Sequence, residues 1–206
     1  MKVKVCGMKD ADNVAAIARL EPDYMGLIFY DRSPRFAGGL PPEALGSLSP
    51  RTLRVGVFVN AARDYIAAQA VRYRLDLLQL HGDESPADCA WFKSGYGIIK
   101  AFGVQTAADF TATHRYEGLC DYFLFDTKSP QRGGSGEKFD HRLLKSYNSP
   151  TPFFLSGGIA PEDAANMAAL CFPSCEALDV NSRFEVLPGV KNVAEVGRFI
   201  GAVRGL

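Results

Sequence analysis

Eight short apolar runs recur along the chain: KVKVCG (2–7), YMGLIFY (24–30), RVGVFVN (54–60), LLQLHG (77–82), GIIKAFG (97–103), YFLFDT (122–127), PFFLSGG (152–158) and ALDVNS (177–182). Runs of this length, bounded by turn residues, fit strands buried in a parallel sheet. They start 20 to 30 residues apart, which leaves room for one helix between successive strands. Between them NVAAIARL (13–20), ARDYIAAQAVRYR (62–74), ESPADCAWFK (84–93), EDAANMAAL (162–170) and NVAEVGRFIGAVR (192–204) carry apolar residues at three- and four-residue steps, the period of an amphipathic helix. Asn60 suits the N-terminus of the helix after the third strand, and Pro161 suits the opening of the one after the seventh. PPEALGSL, TAADFTATH and FDHRLLKSY predict shorter helices after the second, fifth and sixth strands.

Eight alternating βα units in 206 residues most simply close into one (β/α)8 barrel (a TIM barrel) occupying residues 1–206 as a single domain. An open doubly wound sheet is the other arrangement of such units. Against it, no GxGxxG follows the first strand, where a dinucleotide-binding sheet needs its phosphate turn.

Composition narrows the function without choosing it. Lysine plus arginine equals aspartate plus glutamate at 23 each, so no charge excess argues for nucleic acid or an anionic membrane surface, and an anionic ligand must be held locally. No segment has the ~20 apolar residues of a membrane span, and MKVKVCGMKD has no long apolar core before a small-residue cleavage site. A cytoplasmic protein is expected. Cys6, Cys89, Cys120, Cys171 and Cys175 form no CxxC pair and suggest neither a disulfide framework nor a metal site; in CFPSC, Pro173 separates the two neighbouring thiols. No metal or cofactor is expected, and nothing distinguishes a monomer from a homodimer.

In a (β/α)8 enzyme the chemistry lies at the C-terminal ends of the strands. Those ends hold Cys6, Asn60, His81, Asp126, Ser156, Asp179 and Ser182. Cys6 alternates with Lys4, and Asp126 with Leu124 and Tyr122, so a thiol and a carboxyl can face each other across the lumen. An acid at the end of a buried strand is solvated, paired or kept protonated. The structural alternative is a pair with a lysine such as Lys4, and Cys6 can equally be a small apolar filler. A proton donor opposite an acceptor suits isomerisation next to a carbonyl or imine, for which the thiol needs a depressed pKa.

The turns SGGIAPED (156–163) and DVNSRFEVLPGVKN (179–192) follow the last two strands, where these barrels commonly cradle phosphate, although Gly157 and Gly158 also serve simply to turn the chain. SPQRGGSGEKFD (129–140) lacks the GK[ST] of a P-loop and suggests a flap over the site or a plain loop. Arg35 offers a planar fork for a carboxylate or a solvated charge; His81 offers an orienting group or a satisfied strand end.

KVCGMKD, GLIFYDRSPR, VGVFVN, LLQLHGDE, FLFDTK with GGSGEKFD, FFLSGGI and PGVKN together resemble, in order and along nearly the whole chain, the phosphoribosylanthranilate isomerases of tryptophan biosynthesis. The resemblance implies a cofactor-free Amadori rearrangement of N-(5-phosphoribosyl)anthranilate, a phosphorylated small molecule. Asp126 matches the general acid that opens the ribose ring, and Cys6 the base that removes the C2 proton. Arg35 matches the partner of the anthranilate carboxylate, and Gly157, Gly158 and Ser182 match the phosphate loops. His81 and Asp179 complete the expected substrate-binding set. The sequence departs from the family after the eighth strand, where Arg183 replaces a glycine, and a backbone angle suited to glycine is expected to be costly there. The alternatives are a related isomerase of histidine biosynthesis, which carries an aspartate where Cys6 stands, and a catalytically silent barrel that binds a phosphometabolite.

Overall fold

The computed structural model describes residues 1–127, 140–169 and 172–205. Strands β1 (Lys2–Val5), β2 (Tyr24–Ile28), β3 (Leu53–Phe58), β4 (Leu77–Leu80), β5 (Gly97–Val104), β6 (Tyr122–Thr127), β7 (Phe153–Leu155) and β8 (Cys175–Val180) run parallel and close into a barrel in sequence order, β8 pairing with β1. Six of the predicted strands overreach at their C-terminal ends because the chain leaves the sheet there to form the loops that carry the polar residues, whereas β6 ends at the predicted residue and β5 runs one residue further.

Alternation along each strand divides the core in two. Tyr24, Val55, Leu77, Ile99, Ala101, Leu124, Phe154 and Ala177 fill the lumen with Tyr122 against them. Val3, Val5, Met25, Leu27, Phe123, Phe125, Phe153 and Leu178 face outward to the helices. The Phe154 ring lies 4.9 Å from that of Tyr24 and 5.2 Å from that of Tyr122. Burying each such ring contributes up to about 3 kcal/mol. These aromatic contacts make the lumen a packed core rather than a pore.

Helices α1 (Ala11–Ala18), α2 (Arg63–Tyr73), α3 (Pro86–Phe92), α4 (Ala164–Ala169) and α5 (Val193–Arg204) cover the barrel. Asp10 caps α1 by accepting from the Asn13 N–H at 2.8 Å, Ser85 caps α3, and Asn192 caps α5. The three shorter helices form as 3-10 turns over Pro42–Ser47, Ala107–Tyr116 and His141–Ser146. Pro161 opens a 3-10 turn, Pro161–Asp163, that leads into α4.

Asn60 does not cap α2. The cap position is Ala62, whereas Asn60 adopts φ +50°, receives the Asp83 N–H on its Oδ1 at 2.6 Å, and gives its own N–H to Glu84 at 2.7 Å. An asparagine tolerates this left-handed angle, so the residue ties the loop after β3 to the loop after β4. A two-stranded hairpin, β9 (Glu185–Leu187) and β10 (Val190–Lys191), was not anticipated in the connection after β8. No described helix is long and apolar enough to cross a membrane.

Candidate active site

Cys6 follows the last residue of β1, and its N–H bonds the Val180 carbonyl of β8 at 2.9 Å. Two residues earlier, on the same face, Lys4 donates to Asp179 Oδ1 at 2.9 Å. The two residues are in register on adjacent strands, and both are buried. Lys4 therefore pairs with Asp179 and not with Asp126. Asp179 is committed to this buried pair, one inward-facing position below the thiol. Burial pulls the Lys4 ammonium down, but Asp179 and Cys6 outweigh it and leave Lys4 above its ordinary range. Gly26 on β2 makes room for the thiol, because a Cβ there would stand 2.7 Å from Cys6 Sγ. Burial pushes the Cys6 thiol up; Lys4 and Lys191 pull it down and Asp179 adds to the rise, with a net upward shift. The depression expected for a base is absent from the protein alone.

Asp126 sits on β6 beside Gly103 of β5. Its Oδ1 accepts the Thr127 N–H at 2.8 Å, and its Oδ2 lies 3.7 Å from His81 Nε2. Each of these side chains is 18% exposed whereas Cys6 is buried, so acid and imidazole are reachable from solvent and the thiol lies deeper. On the other side of His81, Nδ1 is 2.7 Å from the amide nitrogen of the buried Gln79. Gly157 and Gly158 turn the chain after β7 with φ of +89° and +68°. A Cβ on Gly157 would meet Thr127 Oγ1 at 2.6 Å and Asp126 Oδ1 at 3.3 Å, so this glycine lets the β7 loop approach the acid.

Arg35 is engaged within the protein. Its Nε and Nη2 fork onto Glu185 at 2.8 to 3.1 Å, and the pair is nearly buried. Glu185 also accepts from Lys191 Nζ at 2.6 Å, and Lys191 donates to Asn181 Oδ1 at 2.7 Å. Burial pushes the Glu185 carboxyl up, but Arg35 and Lys191 together hold it below its ordinary value. Lys191 is pulled down by burial, which Glu185 and Cys6 offset only in part, and the neighbouring Arg35 charge adds to the fall.

Ser182 opens a 3-10 turn, Ser182–Phe184, after β8. Among the described residues the non-glycine positive φ angles are those of Glu21, Asn60 and Arg74. The strain expected at Arg183 is thus absent: the turn is an ordinary right-handed one that any residue can occupy.

Cys6, Asp126, His81, Asp179, Arg35, Ser182, Gly157 and Gly158 all lie at or near the C-terminal ends of the strands: Asp126 on β6 and Asp179 on β8, Cys6 and His81 immediately after β1 and β4, and the rest in the loops after β2, β7 and β8. Sequence reasoning missed Gln79, Glu185 and Lys191, although a charged residue in PGVKN and an amide in the apolar run LLQL were signals available to it. The GGSG stretch, apart from Asp140, and Cys171 lie outside the described residues. Among the described residues, no group of three or more His, Cys, Asp or Glu side chains could hold a metal ion.

A closed parallel barrel that gathers its thiol, carboxyl, imidazole and forked arginine at the C-terminal end defines a (β/α)8-barrel enzyme. Residues 3–202 match the family described as N-(5'phosphoribosyl)anthranilate (PRA) isomerase. An N-(5'-phosphoribosyl)anthranilate isomerase of Parabacteroides distasonis is 46% identical over 205 residues, covering 97% of this chain and 92% of that one. Phosphoribosyl anthranilate isomerase from Thermus thermophilus superposes with a TM-score of 0.86 at 29% identity, covering 100% and 99% of the two chains. A further isomerase structure, in complex with reduced 1-(o-carboxyphenylamino)-1-deoxyribulose 5-phosphate, gives 0.82 at 28% identity, with both chains covered completely. The chain belongs to the PRA isomerase family.

Proposed function

We propose that this protein converts N-(5-phosphoribosyl)anthranilate to 1-(2-carboxyphenylamino)-1-deoxyribulose 5-phosphate in tryptophan biosynthesis, by general acid and base catalysis without a cofactor. The observation that carries this reading is the family match over residues 3–202 combined with Cys6 and Asp126 at the C-terminal ends of β1 and β6.

Asp126 gives a proton to the ribose ring oxygen as the C1–O bond breaks and the anilino nitrogen lone pair forms the Schiff base. Its new carboxylate is met by the Thr127 N–H. The cationic imine then acidifies the C2 proton, which the Cys6 thiolate removes to give the enolamine, and this tautomerises to the ketone. Burial raises the thiol, so the thiolate depends on nearby positive charge: Lys4 and Lys191 supply part, and the imine cation itself supplies more once it forms.

The turns at Gly157–Gly158 and Ser182 hold the phosphate, and Arg35, anchored by Glu185, meets the anthranilate carboxylate. Asp179 acts through Lys4, as the counter-charge below the thiol. An ionised phosphate ester does not cross a membrane freely, which supports a cytoplasmic location. Cys6 at the end of β1 argues against the histidine-pathway isomerase, whose corresponding residue is an aspartate.

The test is the loss of anthranilate-type fluorescence when the protein meets freshly made phosphoribosylanthranilate, run beside Cys6→Ser and Asp126→Asn. Turnover by the wild type that both variants lose is expected. An inactive wild type that still binds a product analogue would instead favour a silent barrel, and an unimpaired Cys6→Ser would remove the thiol as base.

A further inference from the structure

Gln79 occupies an inward position of β4 between Leu77, which belongs to the apolar lumen, and His81 at the mouth. It is 1% exposed. Its Nε2 lies 2.7 Å from His81 Nδ1, while its Oε1 is buried with no partner among the described residues. An orphaned buried carbonyl is costly and calls for an explanation. Turning the amide over would leave its NH2 group, with two donors, where the single orphaned acceptor now stands, so the donor side faces the imidazole.

With an N–H aimed at it, Nδ1 is the acceptor, and a neutral ring then carries its proton on Nε2. That nitrogen is the one 3.7 Å from Asp126 Oδ2. We infer that Gln79 is a positioning residue: its amide N–H fixes His81 as the Nε2–H tautomer and keeps a second proton off Nδ1, so that Asp126 faces a neutral donor and not an imidazolium.

The inference rests on Asp126 being the general acid. A full positive charge at this distance favours the ionised carboxylate, which has no proton to give to the ring oxygen. Protonation of Nδ1 would set N–H against N–H in the lumen. A neutral Nε2–H, by contrast, leaves the acid its proton and then joins the Thr127 N–H beside the carboxylate that forms. Among the described residues the charged groups around His81 are Asp126 from β6 and, on the outer side of β4 and β5, Lys100 and Glu84. Those two pair with each other at 3.3 Å, and Lys100 is also tied to the Leu80 and Gly82 carbonyls. The orphaned Gln79 carbonyl is the cost of presenting a donor at this position.

The experiment is a long-range 1H–15N correlation spectrum of the imidazoles in the intact protein, combined with the pH profile of kcat. The chain has three histidines, so His81→Asn assigns the His81 signals. In the wild type, His81 Nδ1 is expected at the position of an unprotonated acceptor near neutral pH, and Nε2 at that of an N–H. Gln79→Glu keeps the side-chain shape but accepts from Nδ1. It should protonate that nitrogen, move the basic limb of kcat to lower pH, and lower kcat about ten- to hundredfold. Gln79→Leu should lower kcat while leaving KM nearly unchanged.

A protonated Nδ1 in the wild type, together with an inactive Asp126→Asn, would overturn the role of Gln79 and leave the acid in place. So would a Gln79→Glu protein in which neither the His81 nitrogens nor the pH limb moves. Turnover retained by Asp126→Asn would overturn the acid itself, and with it this role for Gln79. The wild-type spectrum needs no variant of Gln79, so a failure of either variant to fold leaves the proposal open to refutation.

Discussion

A methyl group on Gly26 would stand 2.7 Å from Cys6 Sγ and 3.1 Å from Cys6 Cα. Carbon atoms in good contact lie about 3.5–4.0 Å apart, so Gly26→Ala is short by roughly 1 Å at the sulfur and about half that at the backbone. The thiol can rotate away, but the Cα cannot move unless β1 shifts against β2. Overpacking of this kind costs about 1–3 kcal/mol, and a displacement of ~1 Å at a reacting group can cost about a hundredfold in turnover.

Gly97→Ala is the matched control. It lies at the opposite end of the barrel, where β5 begins, and its added methyl would meet the Leu77 side chain at 3.1 and 3.2 Å, atoms that can give way. Both variants should lose stability in urea titrations, Gly26→Ala the more. Only Gly26→Ala should lose kcat in the fluorescence assay, by about ten- to hundredfold. A Gly26→Ala protein with wild-type kcat, or a Gly97→Ala protein that loses as much, would refute the claim that this glycine reserves the space of the thiol.

Lys4→Met should destabilise the protein by about 3–5 kcal/mol by leaving Asp179 buried without its cation; adding Asp179→Leu should recover much of the loss in urea titration. Because the Lys4 pKa is raised, this contribution persists through neutral pH and disappears only as pH rises above the ordinary lysine value of 10.5. Ser85→Ala should cost about 1 kcal/mol through the lost cap of α3. Its partner Asp88, held at about 2 by Ser85 and Arg63 against an ordinary 3.8, contributes stability that is present above pH 3.8 and lost as pH falls toward 2, which thermal melts across that window would follow. Glu185→Gln should cost about 3–5 kcal/mol by stripping the carboxylate shared by Arg35 and Lys191. Since that carboxyl is held below its ordinary 4.5, acid melts of the wild type should lose this contribution as pH falls below that value, whereas the variant has none to lose.

The eight strands, their parallel order and the barrel were legible in the sequence because each element is encoded by neighbours in the chain: apolar runs, helical periods and a proline at a helix start. Cys6 and Asp126 were legible as well. A strand that ends in a thiol or an acid places it at the mouth once the barrel closes, whatever surrounds it. Hidden from the sequence were the partners. Lys4 finds Asp179 across 175 positions of chain, and Arg35 finds Glu185 across 150. Asn60 looked like a helix cap but is claimed by Asp83 and Glu84 of the next loop, and the hairpin after β8 carries Lys191 back toward Cys6. Periodicity records which face a side chain takes, but which charge it meets there depends on strand register and on the closing of β8 against β1. Those are properties of the whole barrel, and the final direction of the Cys6 pKa is set by them: burial from all sides, set against two lysines brought from opposite ends of the chain.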